Sequence, residues 1–356
     1  MEKEFTPVSA VGEFGLIDRL KKIVDIPVDD AHLRDNLRKG ISDDTAVYLP
    51  SPGKTQLVTT DILAEGVHFD LTYTSLKHLG WKTMVASLSD IAAMGGTPRY
   101  ATIGISIPSK ISVEMLDELY AGIAYASRKY SFLVVGGDTT TSFTNMWLVS
   151  TIIGEAEESQ VIYRSGARPG DYLCVSGHLG ASLAGLKILQ REKKRFNESG
   201  GKKQFKPDFE SYASALEKHL MPKPRFDIAK LITENVKAHA MIDISDGLAS
   251  EVHHICSASN VGAIVFEHNI PVDAITQRIA GELSESPTAY ALYGGDEYEL
   301  LFTISDNEYQ KLGLLTNDVT IVGRIVKPEQ GIVLTRENGE SEPLTPGGWN
   351  HFKASS

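Results

Sequence analysis

The sequence predicts an α+β protein built from two domains. Its 356 residues are about twice the usual length of one domain, which is about 150 residues. Helical and strand-like segments are mixed without the regular alternation of a doubly wound sheet, so two layered α+β domains are favoured. A polar stretch with arginines, glycine and proline over 155–169 marks a boundary. We therefore predict an N-terminal domain over 1–160 and a C-terminal α+β domain over 161–356.

The N-terminal half alternates between amphipathic helices and short strands. Apolar residues recur at steps of three and four in three segments, which predict helices over 14–23, 76–91 and 113–130. Alternating or continuous apolar runs predict strands over 45–49, 56–61, 101–107, 132–135 and 147–153. On this prediction Asp61 ends one strand, and Asp138 follows another after two glycines.

The C-terminal half shows the same mixture. Strands are predicted over 172–175, 262–267, 300–304 and 319–325, and a helix over 181–190. A further helix carries Leu248, Val252 and Ile255. The polar stretch 191–211, rich in lysine and glycine, is predicted to be a long loop, which either forms a lid or is simply solvated.

Composition excludes several classes of protein. With 46 acidic and 35 basic residues, the net charge of −11 opposes general binding to nucleic acid or to an anionic membrane, because both need a basic face. Cys174 and Cys256 form no CxxC pair, so neither a disulfide framework nor a cysteine-ligated zinc site is expected. No apolar run reaches the roughly 18 residues of a membrane span, and the charged start has no signal-peptide core. A cytoplasmic location is therefore predicted.

Aspartates beside glycines or hydroxyl residues recur at the predicted ends of elements. The segments are Asp43-Asp44, Thr59-Thr60-Asp61, Asp90, Gly136-Gly137-Asp138 and Asp243-Ile244-Ser245-Asp246. Mg²⁺ takes carboxylate and hydroxyl oxygens together with phosphate oxygens. Several carboxylates that face one site repel each other unless cations are present. Five segments with this chemistry therefore point to a metal–phosphate site.

Each of these segments alone has a plainer explanation. Ser245 or Asp246 is equally well placed to cap the helix that follows. The segments at Asp44 and at Asp138 are also ordinary turn sequences. The combination, and no single segment, carries the prediction.

Familiar nucleotide and hydrolase motifs are absent from the sequence. It has no GxxxxGK[ST], no protein-kinase glycine-rich loop, no HExxH and no Ser-His-Asp grouping. His68 is therefore expected to be structural on its own spacing, and His253 and His254 are expected at the surface. Arg164, within the glycine- and proline-containing boundary, is the best cationic candidate for contact with a nucleotide phosphate.

Taken in this order, the motifs closely resemble the thiamine-monophosphate kinase family, within the ATPase superfamily typified by aminoimidazole ribonucleotide synthetase. The resemblance runs from Gly12 to Phe352. The matching segments are 42–46 (SDDTA), 59–61 (TTD), 66–69 (GVHF), 88–95 (LSDIAAMG), 136–140 (GGDTT), 164–171 (RSGARPGD), 243–248 (DISDGL) and 296–300 (DEYEL). The resemblance implies two domains of the aminoimidazole ribonucleotide synthetase type, a homodimer formed through the N-terminal domain, and an active-site cleft completed by the C-terminal domain.

The resemblance also implies ATP-dependent phosphorylation of thiamine monophosphate to thiamine diphosphate with several Mg²⁺ ions. Carried over by motif, the metal ligands are Asp44, Thr59, Thr60, Asp61, Asp90, Asp138, Asp243 and Asp246. The ATP contacts are Tyr120, Gly137, Asp138, Arg164 and Ser245, and the residues around the thiamine phosphate are His68, Asp296 and Trp349. The catalytic step is assigned to Asp61, Asp138 and Arg164.

Two departures from the family pattern touch this assignment. The family usually has Gly-Ile-Gly-Asp-Asp, whereas this chain has Ser42 in the third place. It often has Gly-Gly-Glu-Asp, whereas this chain has Asp296 followed by Glu297. At this second place, either Asp296 or Glu297 is expected to reach the substrate.

The expected reaction is a direct in-line transfer without a phosphoenzyme. The second pKa of a phosphate monoester is about 6, so the acceptor is ionised at neutral pH and needs no general base. Three alternatives stay open: a sister enzyme that activates an amide or a selenium donor, a purine-pathway sister, and a regulator that binds nucleotide and Mg²⁺ without catalysis. The selenium enzyme is disfavoured because no cysteine precedes Cys174.

Overall fold

Two separate β-sheets organise the chain, each with its own helices. The computed structural model describes residues 5–41, 43–200 and 206–348. The first unit runs to Ile91 and resumes over Gly96–Ser159, whereas the second contains Ala92–Gly95 and the chain from Gln160 onward. The predicted α+β fold class is confirmed. None of the helices in the described ranges has the length and apolar character needed to cross a membrane.

The elements up to the end of the first sheet are α1 (Val8–Val24), α2 (Ala31–Asn36), β1 (Leu37–Lys39), β2 (Val47–Tyr48), β3 (Lys54–Ala64), α3 (Leu76–Ala93), β4 (Thr97–Pro108), α4 (Val113–Tyr130), β5 (Leu133–Ser142) and β6 (Trp147–Glu157). The sheet has the strand order β3-β6-β4-β5. Its β4 and β5 strands are parallel, and the other neighbours are antiparallel. β1 and β2 form a separate ribbon.

Apolar periodicity predicts the helices of this unit well. α4 has the predicted bounds: Ser112 caps it by accepting from the backbone N–H of Met115, and Leu116 is fully buried. α3 ends shortly before Gly95, as predicted. α1 begins earlier than predicted and has a kink at Gly12, where φ is 67°.

Several predicted strand bounds are wrong, most clearly those of β2, β3 and β5. β3 continues past Asp61, and β5 continues through Asp138. Asp61 pairs with Ser150 and Asp138 pairs with Gly104, so the backbone ladder runs on through both polar positions. The strand predicted around β2 shortens to Val47–Tyr48. Both aspartates therefore lie within strands.

The elements of the second unit are β7 (Tyr172–Ser176), α5 (Ala181–Glu198), α6 (Ala213–Leu220), α7 (Phe226–Asn235), β8 (Ala238–Ile244), α8 (Leu248–Ser259), β9 (Gly262–Phe266), α9 (Ala274–Glu282), α10 (Pro287–Tyr293), β10 (Glu299–Ile304), α11 (Asp306–Gly313), β11 (Val319–Val326), β12 (Ile332–Thr335) and β13 (Ser341–Pro343). The sheet order is β13-β12-β9-β11-β7-β10-β8. Leu301 of β10 packs with α8, whereas Phe302 packs with α7 and α11. Because neighbouring residues of a strand face opposite sides, both faces of this sheet are covered.

The loop predicted over 191–211 is wrong for its first part, because α5 continues to Glu198. Glu192 is 2% exposed and forms an ion pair with Arg195 one turn later, and Lys194 pairs with Glu198. Ion pairs at steps of three and four residues stabilise a polar helical surface that apolar periodicity does not reveal. Residues 201–205 lie outside the described residues.

Candidate functional site

One group of predicted ligands meets between β3 and α3. Thr59 and Asp61 are two positions apart on β3, so they lie on the same face of the sheet. The Thr59 hydroxyl donates to Asp90 Oδ2 at 2.5 Å. Ser87, one turn before Asp90 on α3, donates to Asp61 Oδ2 at 2.7 Å. The structure therefore brings Thr59, Asp61 and Asp90 together and adds Ser87, which the sequence analysis missed.

The electrostatics of this group favour a cation. The pKa of Asp61 is raised to about 6, chiefly by burial and also by the charge of Asp90, against the hydrogen bond from Ser87. Its donors are hard oxygens, which fit Mg²⁺. In the described part of the chain, no cluster of three or more His, Cys, Asp or Glu side chains is arranged to hold a metal ion. The group therefore fits an ion that takes its other ligands from phosphate and water.

Asp138 lies on the other face of this sheet. It pairs with Gly104, which pairs with Val149, and Val149 pairs with Ile62, the neighbour of Asp61. Directly paired residues share a face of the sheet. Asp138 and Ile62 therefore lie opposite Asp61, and the structure does not bring Asp138 into the Asp61 group.

Two other predicted residues, Thr60 and Gly137, belong to strands of the same sheet. Thr60 is exposed on the Asp138 face, where its hydroxyl is hydrogen bonded to that of Thr151 at 2.8 Å. Gly137 allows β4 and β5 to approach, since a Cβ there would lie 2.0 Å from the carbonyl oxygen of Ile103. This close approach explains the glycine without a ligand, and its contact with ATP stays a prediction.

Three more predicted residues of the first unit have surroundings of their own. Asp44 is exposed, and its backbone N–H donates to Asp43 Oδ1. Tyr120 is 7% exposed, and burial raises its pKa to about 12. His68 Nδ1 accepts from the backbone N–H of Ala64, which fixes the turn after β3. Their roles toward metal, ATP and substrate stay predictions.

A second group of predicted residues meets where β8 ends and β10 begins, two antiparallel neighbours. The backbone N–H of Asp296 donates to the Ser245 carbonyl at 2.8 Å. The backbone N–H of Tyr298 donates to the Ile244 carbonyl at the same distance. Ser245, Asp246 and Asp296 therefore share one corner of the second unit, which we call the Ser245 corner.

Glu251 holds the turn at this corner, and the sequence analysis missed it. Its Oε1 accepts from the backbone N–H of Ser245 at 3.2 Å and from that of Asp246 at 2.9 Å. Glu251 is 1% exposed, and burial raises its pKa to about 7. The alternative in which Ser245 or Asp246 caps α8 is wrong, because Gly247 occupies the N-cap position with φ 121° and none of the described side chains caps the helix. Asp243, just before the turn on β8, is buried.

Arg164 lies on a loop that is held in place. Ser259 Oγ accepts from the backbone N–H groups of Gly166 and Ala167, both at 3.1 Å. Gly166 has φ 119°, and a Cβ there would lie 2.4 Å from the carbonyl oxygen of His239. Arg164 itself is exposed, and no carboxylate in the described ranges forms an ion pair with it.

Arg164 and Asp246 of the Ser245 corner both lie close enough to His254 to affect its pKa. The pKa of His254 is lowered chiefly by the partial burial of its ring and then by the positive charge of Arg164, whereas Asp246 acts in the opposite direction. His254 is exposed, as predicted. His253 is instead half-buried, and its Nε2 is hydrogen bonded to the Leu344 carbonyl at 2.7 Å.

Asp296 and Glu297 have different surroundings. Asp296 is partly exposed, and its Oδ1 accepts from the Tyr298 hydroxyl at 2.9 Å. Glu297 is 1% exposed, and its Oε1 accepts from the backbone N–H groups of Gly180 and Ser182. Asp296 is therefore the more exposed of the two side chains, and its contact with a substrate stays a prediction.

Two predictions lie outside the described residues: the departure at Ser42 and the substrate contact of Trp349. Gly348, the last residue that the structure describes, lies against the Ser245 corner. A Cβ on Gly348 would lie 2.6 Å from the carbonyl oxygen of Asp246.

Known proteins resemble this chain both in their domains and in their sequence. The family described as AIR synthase related protein, N-terminal domain, matches residues 42–156, and the corresponding C-terminal domain matches 168–335. Thiamine-monophosphate kinase of Bacillus subtilis (strain 168) is 32% identical over 318 residues, which cover 88% of this chain and 93% of that protein. The same enzyme of Aquifex aeolicus (strain VF5) is 33% identical over 343 residues, covering 96% and 98%.

A solved structure, AaThiL complexed with AMPPCP and TMP, is similar along nearly the whole chain. Its TM-score is 0.72 at 33% identity, and the match covers 97% of this chain and 98% of that one. The sequence similarity and the fold therefore agree. The chain belongs to the thiamine-monophosphate kinase family and has the two domains of AIR synthase related proteins.

Proposed function

We propose that this chain transfers the γ-phosphoryl group of ATP to thiamine monophosphate and so forms thiamine diphosphate. The observation that carries the proposal is the Thr59, Asp61 and Asp90 group, where two carboxylates repel each other beside hydroxyl donors. The relatives named above are thiamine-monophosphate kinases, and one similar structure was solved with AMPPCP and TMP. These similarities support ATP as the phosphoryl donor.

Mg²⁺ is the cofactor that this group fits. Asp61 and Asp90 would hold it, with the Thr59 hydroxyl beside them. When bound, the ion would supply positive charge that offsets the negative charge of the phosphate groups. Ser87 fixes the orientation of the Asp61 carboxylate, and it is itself anchored by a hydrogen bond to the Ser150 hydroxyl at 2.7 Å. The further ligands carried over from the family, and with them the number of ions, stay part of the proposal.

The second unit supplies groups for the nucleotide and for the thiamine end of the substrate. Arg164 offers an exposed positive charge to a phosphate, and Ser245 offers a hydroxyl. The partly exposed carboxylate of Asp296 suits the cationic thiazolium ring of thiamine. An ionised phosphate acceptor needs no base, so these residues bind and orient the substrates for direct in-line transfer.

The test is a ³¹P NMR time course with the purified protein, ATP, Mg²⁺ and thiamine monophosphate. We expect thiamine diphosphate and ADP to appear together, and EDTA to stop the reaction. Asp90→Asn is expected to lose turnover, whereas the matched control Asp117→Asn, which removes only a surface ion pair with Arg19, keeps it. ATP that stays intact would overturn the kinase assignment, and binding of ATP without turnover would favour a regulator.

Direct transfer has its own test. No phosphoenzyme is expected, so protein incubated with γ-labelled ATP is expected to lose all label on gel filtration under denaturing conditions. Label that stays with the chain would refute direct transfer while leaving the overall reaction in place.

We further propose a homodimer formed through one face of the four-stranded sheet, the face that carries Ile62 and lies opposite Asp61. Val58 and Ile62 of β3 and Trp147 of β6 share this face and are 69%, 50% and 49% exposed. Exposed apolar side chains that share one face of a sheet mark an interaction surface, and here they lie beside the polar Thr60 and Asp138. A second copy of this chain offers the same side chains in return. The dimer implied by the family resemblance gives that copy as the occupant.

Sedimentation velocity tests the dimer. Ile62→Glu is expected to shift the protein to a monomer, because it places a charge within an apolar interface. Leu314→Glu, at an 88% exposed leucine of the second unit, serves as the matched control and is expected to stay dimeric. A wild-type monomer, or an Ile62→Glu dimer of unchanged affinity, would overturn the proposed interface.

A further inference from the structure

Glu297 is a buried carboxylate that fastens the loop 294–298 to α5. Its Oε1 accepts from the backbone N–H of Gly180 at 2.8 Å and from that of Ser182 at 3.0 Å. Gly180 is the N-cap residue of α5, so the Glu297 carboxyl group lies at the amino-terminal end of the helix and satisfies its free N–H groups. Within the described residues, Oε2 has no hydrogen-bond partner. The side chain thus connects two parts of the second unit that are 117 residues apart in sequence.

The loop has a backbone conformation that needs an anchor. Asp296 and Tyr298, on either side of Glu297, have φ of 61° and 54°, in the left-handed region that residues with side chains disfavour. Such conformations persist only where the surrounding structure holds them. Because both neighbours of Glu297 are strained, loss of its two hydrogen bonds is expected to release the loop.

Close packing couples this loop to the Ser245 corner. A Cβ on Gly295 would lie 2.6 Å from the Ser245 carbonyl oxygen, and one on Gly294 would lie 2.4 Å from that of Tyr290. The backbone N–H of Asp296 donates to the same Ser245 carbonyl. A shift of the loop therefore moves Asp296 directly.

We propose that Glu297 is a positioning residue for the thiamine end of the substrate: it holds Asp296 in the conformation that meets the substrate and does not touch the substrate itself. The inference rests on the proposed function, which assigns Asp296 to substrate contact. The nucleotide end has separate anchors, because Glu251 holds the Ser245 turn and Ser259 holds the Arg164 loop. Loss of Glu297 is therefore expected to weaken thiamine monophosphate binding and to leave ATP binding nearly unchanged.

The experiment compares Glu297→Ala, Glu297→Gln and Glu192→Ala in the full chain. Glutamine keeps an oxygen that can accept the two N–H bonds. Glu192 is the matched control, since it is a 2% exposed carboxylate on the same α5 helix that pairs with Arg191 and Arg195. Two readouts are used: KM for each substrate, and amide hydrogen exchange over 294–298 without any substrate.

We expect Glu297→Ala to raise the KM for thiamine monophosphate about tenfold or more, with the KM for ATP within about twofold of wild type. Glu297→Gln is expected to restore most of the loss, and Glu297→Ala is expected to speed exchange in the loop, whereas Glu192→Ala does neither. Unchanged exchange, equal rises in both KM values, or no rescue by glutamine would overturn the positioning role. Wild type that shows no turnover while Glu297→Ala still loosens the loop would instead refute the proposed function alone.

Discussion

Replacing Glu297 by glutamine is expected to change how the stability of this protein depends on pH. The pKa of Glu297 is raised from its ordinary 4.5 to about 8, chiefly by burial and also by the nearby charge of Glu299. Lys218 and the N–H donors of Gly180 and Ser182 oppose this shift. The folded protein therefore binds the proton of Glu297 more tightly than the unfolded chain does.

The sign and size of the effect follow from this difference. Stability that depends on the bound proton is fully present below pH 4.5 and is lost as the pH rises to about 8. Each pKa unit corresponds to about 1.4 kcal/mol, so the loss is about 5 kcal/mol at most. Glutamine is neutral throughout, so the free energy of unfolding of Glu297→Gln relative to wild type is expected to rise across this window and then stay constant.

Urea unfolding at about pH 5, pH 7 and pH 9, followed by circular dichroism, measures this difference. Glu337→Gln is the control, because Glu337 is exposed in the turn between β12 and β13. Groups that titrate elsewhere affect wild type and variant alike, and the difference between them isolates Glu297. Parallel stability curves for wild type and Glu297→Gln would refute the assignment of a buried, proton-binding carboxyl at this position.

Three further predictions concern the metal group, the sheet and the nucleotide contact. Asp61→Asn is expected to abolish turnover and the rise in melting temperature that Mg²⁺ and nucleotide give wild type, and an unchanged thermal shift would remove Asp61 from the metal group. Gly137→Ala is expected to destabilise the protein by more than about 1 kcal/mol, since its Cβ would lie 2.0 Å from the Ile103 carbonyl oxygen. Gly281→Ala, with open space around its Cβ on α9, is expected to be neutral or to stabilise by up to about 1 kcal/mol, and equal urea midpoints for the two variants would contradict this. Arg164→Ala is expected to raise the KM for ATP about tenfold, with Arg164→Lys between it and wild type, and steady-state kinetics would show an unchanged KM if the contact is absent.

The helices were predictable from the sequence to the extent that apolar packing forms them. Leu116 and its neighbours recur at helical steps, and α4 has the predicted bounds. α5 exceeds its prediction because ion pairs such as that of Glu192 with Arg195 stabilise its polar end. Strand ends were less predictable, because a strand ends where its partner ends. Asp61 lies inside β3 since Ser150 and the residues before it, down to Trp147, continue the antiparallel pairing.

The site was predictable where its residues form a compact motif or lie on one predicted element. Thr59 and Asp61 are two positions apart on one strand, and Asp90 was indicated by the separate matching segment 88–95. Ser87 was accessible in principle, because it lies one helical turn before Asp90 on a predicted helix. Glu251 also gave a signal, as an acid on the apolar face of α8. The anchoring role of Glu297 gave no signal, since its partner Gly180 is 117 residues away and only the folded chain brings the two together.

The acids of this protein differ in what satisfies their oxygens, and this difference assigns their roles. Glu251 and Glu297 each accept two backbone N–H bonds through one oxygen and are 1% exposed, so they are committed to holding the chain. Among the described residues, Asp61 has only a serine hydroxyl against the cost of burial and the charge of Asp90, and no cation there offsets its charge. A carboxylate that backbone donors already satisfy gains little from a cation, whereas two carboxylates that repel each other gain much. The net charge of −11 indicates that acids are abundant, but only their partners distinguish those that hold the backbone from those that we propose as metal ligands.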